Sequence, residues 1–312
     1  MIGLRRHVVA VVAALFALAV GIALGGGPLS YVPQDDTSST SDRTEPDDDD
    51  SESPDPEAVP ADVGGFADAF AASAAARLYN GALLGHPTVV VAMPGVEPGL
   101  VDAMVAEVPA AGGVLTGIFE ITEQTVDQDE TSLVDSLGSQ LMTQLGDTRV
   151  DPTASTYVRL GQLLSVAVAT PVKDGLRADA SAQTIRASLS TAGLLTGPGD
   201  ARLAPLVLVL LPASADEEPD DALAEAAIYA GLMTGLRGNG AGVVLLGDTA
   251  SGVDGLLSEL RQDDLLNSTI ATVDGGDTAI GRVTAMLALI SSLDGSVGAY
   301  GASGSDGAVP IS

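Results

Sequence analysis

Short apolar runs recur along most of the chain, each followed by a longer stretch with helical spacing. From Phe66, "FADAFAASAAARLYNGALLG" predicts a helix ending near Gly85. "PTVVVAMPG" then predicts a buried strand, "EPGLVDAMVAEVPAAGG" a helix closed by glycines, and "VLTGIFEIT" a second strand. A mostly helical middle follows: residues 130 to 145, "STYVRLGQLLSVAVA" and "SAQTIRASLSTAGLL". The alternation resumes with strand "PLVLVLLP", helix "DDALAEAAIYAGLMTGLR", strand "AGVVLLGD", helix "GVDGLLSELR", strand "STIATVD" and helix "DTAIGRVTAMLALISSL". Five short apolar strands separated by helices imply a parallel sheet covered on both faces. The expected fold class is therefore α/β, in three layers, with a mostly parallel sheet and helices on both faces.

Two N-terminal segments break this pattern. Arg5 and Arg6 precede an uncharged stretch that runs to Asp35, and its strongly apolar part is Val8 to Leu24. As a helix, His7 to Leu29 would reach about 30 Å, between a long signal peptide and a short membrane span. A retained transmembrane helix is favoured, because cutting at Ala17-Leu18-Ala19 would leave a short apolar region. The flanking Arg5 and Arg6 would stay cytoplasmic, which places everything after residue 30 outside the membrane. Residues 35 to 62 carry twelve acids against Arg43 alone, with four prolines. Such a segment buries nothing and repels itself, so it predicts a disordered spacer. The expected organisation is an N-terminal membrane anchor at 1–34, an acidic linker at 35–63, an exported α/β domain at 64–304 and a tail at 305–312.

Near the C-terminus, "GSVGAYGASGSDGAVP" places glycine at 295, 298, 301, 304 and 307. Five triplets in one chain do not make a collagen helix, which needs many triplets, frequent proline and partner chains. By composition alone the segment reads as disordered, with Gly295 placed to cap the last helix.

Charge and composition narrow the chemistry. A formal net charge of −29 argues against nucleic acid and against docking on an anionic lipid surface. The chain has no cysteine, so disulfides, thiolate metal sites and thiol nucleophiles are excluded. The glycines at 238, 240 and 242 precede a strand instead of following one, so they do not form a dinucleotide fingerprint. His86, at a turn entering a strand, is more simply a turn residue than a catalytic base. Asp248 and Asp274 end two strands, where ligand sites of open α/β sheets lie, although each equally suits the N-cap of the following helix. No reaction follows from them, and the chain is not expected to be an enzyme. Met93, Met104, Met142, Met233 and Met286 are spaced as core residues, and no cofactor is evident.

The stretch "VDGGDTAIGRVTAMLALISSLDGSVGAYGASGSDGAVP" resembles the C-terminal signature of the MctB family of actinobacteria, known as copper transport outer-membrane proteins of mycobacteria; Gly281, Arg282, Gly298, Tyr300 and Gly301 fall within it. The match of "SVGAYG" to that signature implies that the glycine ladder is an extended strand or loop laid against the domain, its backbone brought close by glycine and Tyr300 its buried anchor; the opening "MIGLRRHVVAVVAALFALAVGIALGGG" is also similar to that family's start. One departure is the acidic spacer, which stands where relatives carry a charged coiled coil. The resemblance implies copper transport or homeostasis in the cell envelope. It also implies an alternative, a non-catalytic tethered module that acts in cell division by regulating a peptidoglycan hydrolase through an envelope or membrane partner. Copper enters by resemblance alone.

Overall fold

The computed structural model describes residues 63–146, 149–214 and 219–310; the predicted anchor with Arg5 and Arg6, and the acidic spacer, lie outside the described residues. The chain divides into two units, Met1–Ala67 and Asp68–Ser312, and the sheet belongs wholly to the second.

The first half runs α1 (Val63–Tyr79), β1 (Thr88–Ala92), α2 (Pro98–Ala110), β2 (Leu115–Ile121), α3 (Glu123–Val126), α4 (Thr131–Leu145), α5 (Thr156–Val168) and α6 (Ala180–Thr191). It continues through β3 (Leu195–Thr196), β4 (Leu206–Leu210), α7 (Pro219–Leu236), β5 (Gly242–Leu246), α8 (Ser251–Asp254), α9 (Leu256–Leu260), α10 (Asp264–Asn267), β6 (Ala271–Val273), α11 (Ala279–Ser292) and β7 (Ala299–Tyr300). The strands form one sheet in the order β3-β2-β1-β4-β5-β6-β7. All neighbours are parallel except β3, which runs antiparallel to β2.

Every residue of β1 and β4 is buried, as expected of strands covered on both faces. Alternate side chains feed two cores. Val89, Val91, Val207, Val209 and Leu245 pack with α5, α6, α7 and α9 on one face. Val90, Leu208, Leu210, Val244 and Val273 pack with α1, α2 and α11 on the other. The three-layer α/β expectation is met, and the five predicted strands are β1, β2, β4, β5 and β6. The sheet gains two edge strands beyond those five, each of two residues.

Two helices meet almost backbone to backbone. A Cβ on Gly161 of α5 would lie 2.1 Å from the carbonyl oxygen of Leu232, and one on Gly235 of α7 would lie 2.1 Å from that of Val158. Both positions need glycine, because any side chain there would meet the facing helix's backbone.

Chain order reverses between β1 and β4: the chain moves outward from β1 to β2, then returns to lay β4 on the other side of β1. The loops leaving these adjacent strands therefore part, and a crevice opens at their carboxyl ends.

Candidate functional site

That crevice is present as a cleft of about 760 Å³. Its base is formed by Pro94 and Gly95 after β1 and by Pro212, Ala213 and Ser214 after β4. Leu223 of α7 and Leu256 of α9 add apolar surface, backed by the buried Tyr229 of α7. Four carboxylates come from separate elements: Glu123 of α3, Glu225 of α7, Asp254 of α8 and Glu259 of α9. Among the described residues, no lysine, arginine or histidine lines the cleft.

The predicted strand-end aspartates both lie beside this region, and neither lines it. Asp248 follows β5 and accepts hydrogen bonds from the Ser251 backbone N–H at 2.7 Å and from the Ser214 N–H at 3.2 Å. The N-cap of α8 is Ala250 without a side-chain cap, so the capping expectation for Asp248 is corrected: it holds the N–H of the helix's first residue and ties down the loop leaving β4.

Asp274 behaves differently. The N-cap of α11 is Thr278, whose hydroxyl accepts from the Gly281 N–H at 3.0 Å, so the capping expectation for Asp274 is corrected. Its carboxylate instead receives Arg261 at 3.1 Å and the backbone N–H groups of Ala302 and Ser303 at 2.6 and 2.9 Å. Arg261 also donates to the Thr272 hydroxyl at 3.0 Å and to the Tyr300 carbonyl at 2.8 Å. The Ser303 hydroxyl accepts from Arg261 at 2.8 Å and donates to the Gly252 carbonyl of α8 at 2.7 Å. These bonds form a latch: a buried carboxylate holds the C-terminal segment, which in turn holds α8, one wall of the cleft.

The glycine ladder supplies the C-terminal side of the latch. Ala299 and Tyr300 pair with Thr272 and Val273 of β6, and Tyr300 is 8% exposed, so the expected strand and buried anchor are both present. Gly301 has φ +112°, and a Cβ there would lie 2.1 Å from Asp274 Oδ1. Gly298 packs against the Tyr300 ring, and Gly281 lets α11 approach the turn at Gly275. Arg282 donates to the Gly276 carbonyl at 3.1 Å. All five signature residues thus serve packing around β6, β7 and α11. Beyond Ser305 the chain folds back: the Asp306 N–H donates to the Ala299 carbonyl at 3.0 Å, and its carboxylate accepts from the Ala299 N–H at 2.8 Å.

The remaining candidates lie elsewhere. His86 sits before β1, at the end of the strand opposite the cleft; burial, then Lys173, lowers its pKa. Met93 and Met233 are buried on one face of the sheet, Met104 and Met286 on the other. Met142 packs at the edge of the first core, so the methionines are divided among packing sites as their spacing suggested. Among the described residues, no group of three or more histidine, aspartate or glutamate side chains is placed to hold a metal ion.

The whole-chain comparison decides the family. The model of "Copper transport outer membrane protein, MctB" matches residues 1–311. The chain belongs to the MctB family. It is 31% identical over 325 residues to the "Copper transporter MctB" of Mycobacterium leprae, covering 96% of either chain. It is 28% identical over 316 residues to the proteins of the same name from Mycobacterium tuberculosis and Mycobacterium bovis, again over 96% of either chain. The MctB match spans the anchor-like opening, the sheet and the ladder together. Sequence reasoning missed Arg261, Ser303 and the cleft carboxylates. Arg261 left one trace, as a cation shortly before a strand that ends in aspartate.

Proposed function

We propose that this MctB-family chain is a membrane-anchored envelope protein serving copper homeostasis, and that its exported domain acts as a non-catalytic binding module. The observation carrying this is the match to the copper-transport family along residues 1–311, where the α/β domain offers an open cleft at its topological switch point. A single-pass anchor at Val8–Leu24, with Arg5 and Arg6 on the cytoplasmic side, places the domain outside the membrane. Among the described residues no helix is long and apolar enough to cross a membrane. A helical pore needs several spanning segments to satisfy its backbone, so copper movement in this proposal depends on what the domain binds. A strain lacking the chain should become copper-sensitive and accumulate copper, with both reversed by the full chain. Unchanged tolerance and copper content would remove the proposal.

A second reading is control of septal peptidoglycan hydrolysis through a bound partner. It is favoured by the cleft lining, which combines exposed apolar Leu223 with several carboxylates and pairs no nucleophile with a histidine base. Chained or septation-defective cells in the same strain would support it; normal division would not.

A further inference from the structure

We propose that a second cavity, at the amino ends of β5, β6 and β7, binds the phosphate ester of a small polyol. The cavity holds about 250 Å³ and lies at the end of the sheet opposite the cleft. Three stretches wall it: Arg237 after α7, Ser268 and Thr269 before β6, and Ser296 and Val297 after α11. All of them lie within the described stretch 219–310. Open α/β sheets usually hold ligands at the other end, so the lining and not the fold carries this site.

Part of the lining suits an oxyanion. Among the described residues no aspartate or glutamate lines the cavity, although the chain carries 42 acids. The guanidinium of Arg237, the hydroxyl of Ser296 and the backbone N–H of Val297 have no hydrogen-bond or ion-pair partner among the described residues. Free donors from two separate elements suit a tetrahedral oxyanion, whose oxygens point in several directions; a planar carboxylate takes both its bonds from one guanidinium fork. The last carbonyls of α11, which would repel an anion, are already occupied. That of Leu289 accepts from the Ser292 hydroxyl at 2.7 Å, and those of Ile290, Ser291 and Ser292 accept from the N–H groups of Leu293, Asp294, Ser296 and Gly295.

The wall before β6 asks for something else. The Ser268 and Thr269 hydroxyls both donate to the Leu265 carbonyl, which leaves their lone pairs as acceptors. Lone pairs repel an oxyanion and attract an O–H, so this wall matches a ligand hydroxyl beside the charged group. A polyol phosphate carries both groups in one small molecule. Val243 and Val297 supply apolar surface for its carbon chain. The size agrees, since 250 Å³ falls below the ~300–1,000 Å³ of clefts for drug-sized ligands, too small for a nucleotide. Space beside Gly295 is open, because a Cβ there would meet nothing within 4 Å.

The test titrates the full chain, in neutral detergent micelles, with glycerol 3-phosphate, inorganic phosphate and glycerol in a calorimeter at about 0.15 M salt, where repulsion by the chain's net charge is screened. The expected result is saturable binding of glycerol 3-phosphate, at least about threefold weaker binding of inorganic phosphate, which lacks the polyol hydroxyls, and none of glycerol. Arg237→Gln should weaken glycerol 3-phosphate at least about tenfold, because a charge-assisted bond is lost. Arg77→Gln removes an exposed arginine of α1 away from the cavity and should change binding less than about twofold. Ser268→Ala should narrow the preference for the ester over inorganic phosphate. Arg237 and Arg77 are both exposed, and thermal melts establish that the variants remain folded. No saturable binding of glycerol 3-phosphate would overturn the proposal, as would equal weakening by Arg237→Gln and Arg77→Gln, or inorganic phosphate binding as tightly as the ester. Glycerophosphoglycerol separates two sources of the same chemistry: if it displaces glycerol 3-phosphate the ligand is a diester headgroup, and if it does not the ligand is the free monoester. None of these results bears on copper tolerance in the deletion strain, so failure here leaves the proposed function standing.

Discussion

Replacing Asp274 by alanine should be among the most damaging single changes in the domain. Its side chain is 1% exposed, and its Arg261 partner is 10% exposed. Removing the carboxylate leaves a buried guanidinium without its counter-charge, and leaves the Ala302 and Ser303 N–H groups without their acceptor. Breaking a buried ion pair from one side costs about 3–5 kcal/mol. In a folded unit of this size each kcal/mol moves the melting temperature by roughly 2–4 °C, so Asp274→Ala should lower it by roughly 6–20 °C. Much of that cost is the stranded charge, so it should be partly recovered by removing the charge as well. Asp274→Ala/Arg261→Met should therefore be less destabilised than the sum of the two single variants, by more than about 1 kcal/mol. Urea unfolding of the full chain and the three variants, followed by circular dichroism, measures this cycle. Strict additivity, or a single-variant cost below about 1 kcal/mol, would refute the assignment of Asp274 and Arg261 to one buried latch.

Two further outcomes are expected. Gly235→Ala would force a methyl group against the Val158 carbonyl of α5, and overpacking of this kind costs about 1–3 kcal/mol, readable as a lower urea midpoint. Burial first, and then Glu107, push the Tyr79 hydroxyl well above its ordinary value of 10.0, while its O–H donates to Glu107 at 2.9 Å. The folded state thus holds that proton more tightly than the unfolded chain. Stability from this group is intact below pH 10.0 and is lost as the pH rises beyond it, and Tyr79→Phe should flatten that alkaline decline in a melting-temperature profile.

The parts of the fold legible in the sequence were those carried by runs of apolar residues. β1 and β4 are five-residue blocks buried throughout, so no register or partner was needed to find them. β3 and β7 have two residues each, too few for any period, and exist because a neighbouring strand offers an edge. Tyr300 was legible only through the resemblance of its stretch to the family signature, since composition alone favours disorder there. Asp248 was legible as a residue tied to the start of the next helix because its partner, the Ser251 N–H, is three residues away, although Ala250 is the N-cap. Asp274 was not, because the groups that claim it, Arg261 and Ser303, come from thirteen residues before and twenty-nine after. The cleft carboxylates were hidden for the same reason: Glu123 and Glu259 meet only once the chain order has reversed across β1.

The latch also has a consequence in time. The wall formed by α8 is secured by residues 299 to 303, which come after α11 and every other strand in chain order. Until they arrive, β6 is an open edge and Asp274 a buried acid without its backbone donors. The contacts that complete the cleft therefore form last during N-to-C emergence, and a chain cut short after α11 would present an unfinished cleft together with an unpaired strand. The wall that α8 gives the cleft thus depends on the integrity of the segment after α11.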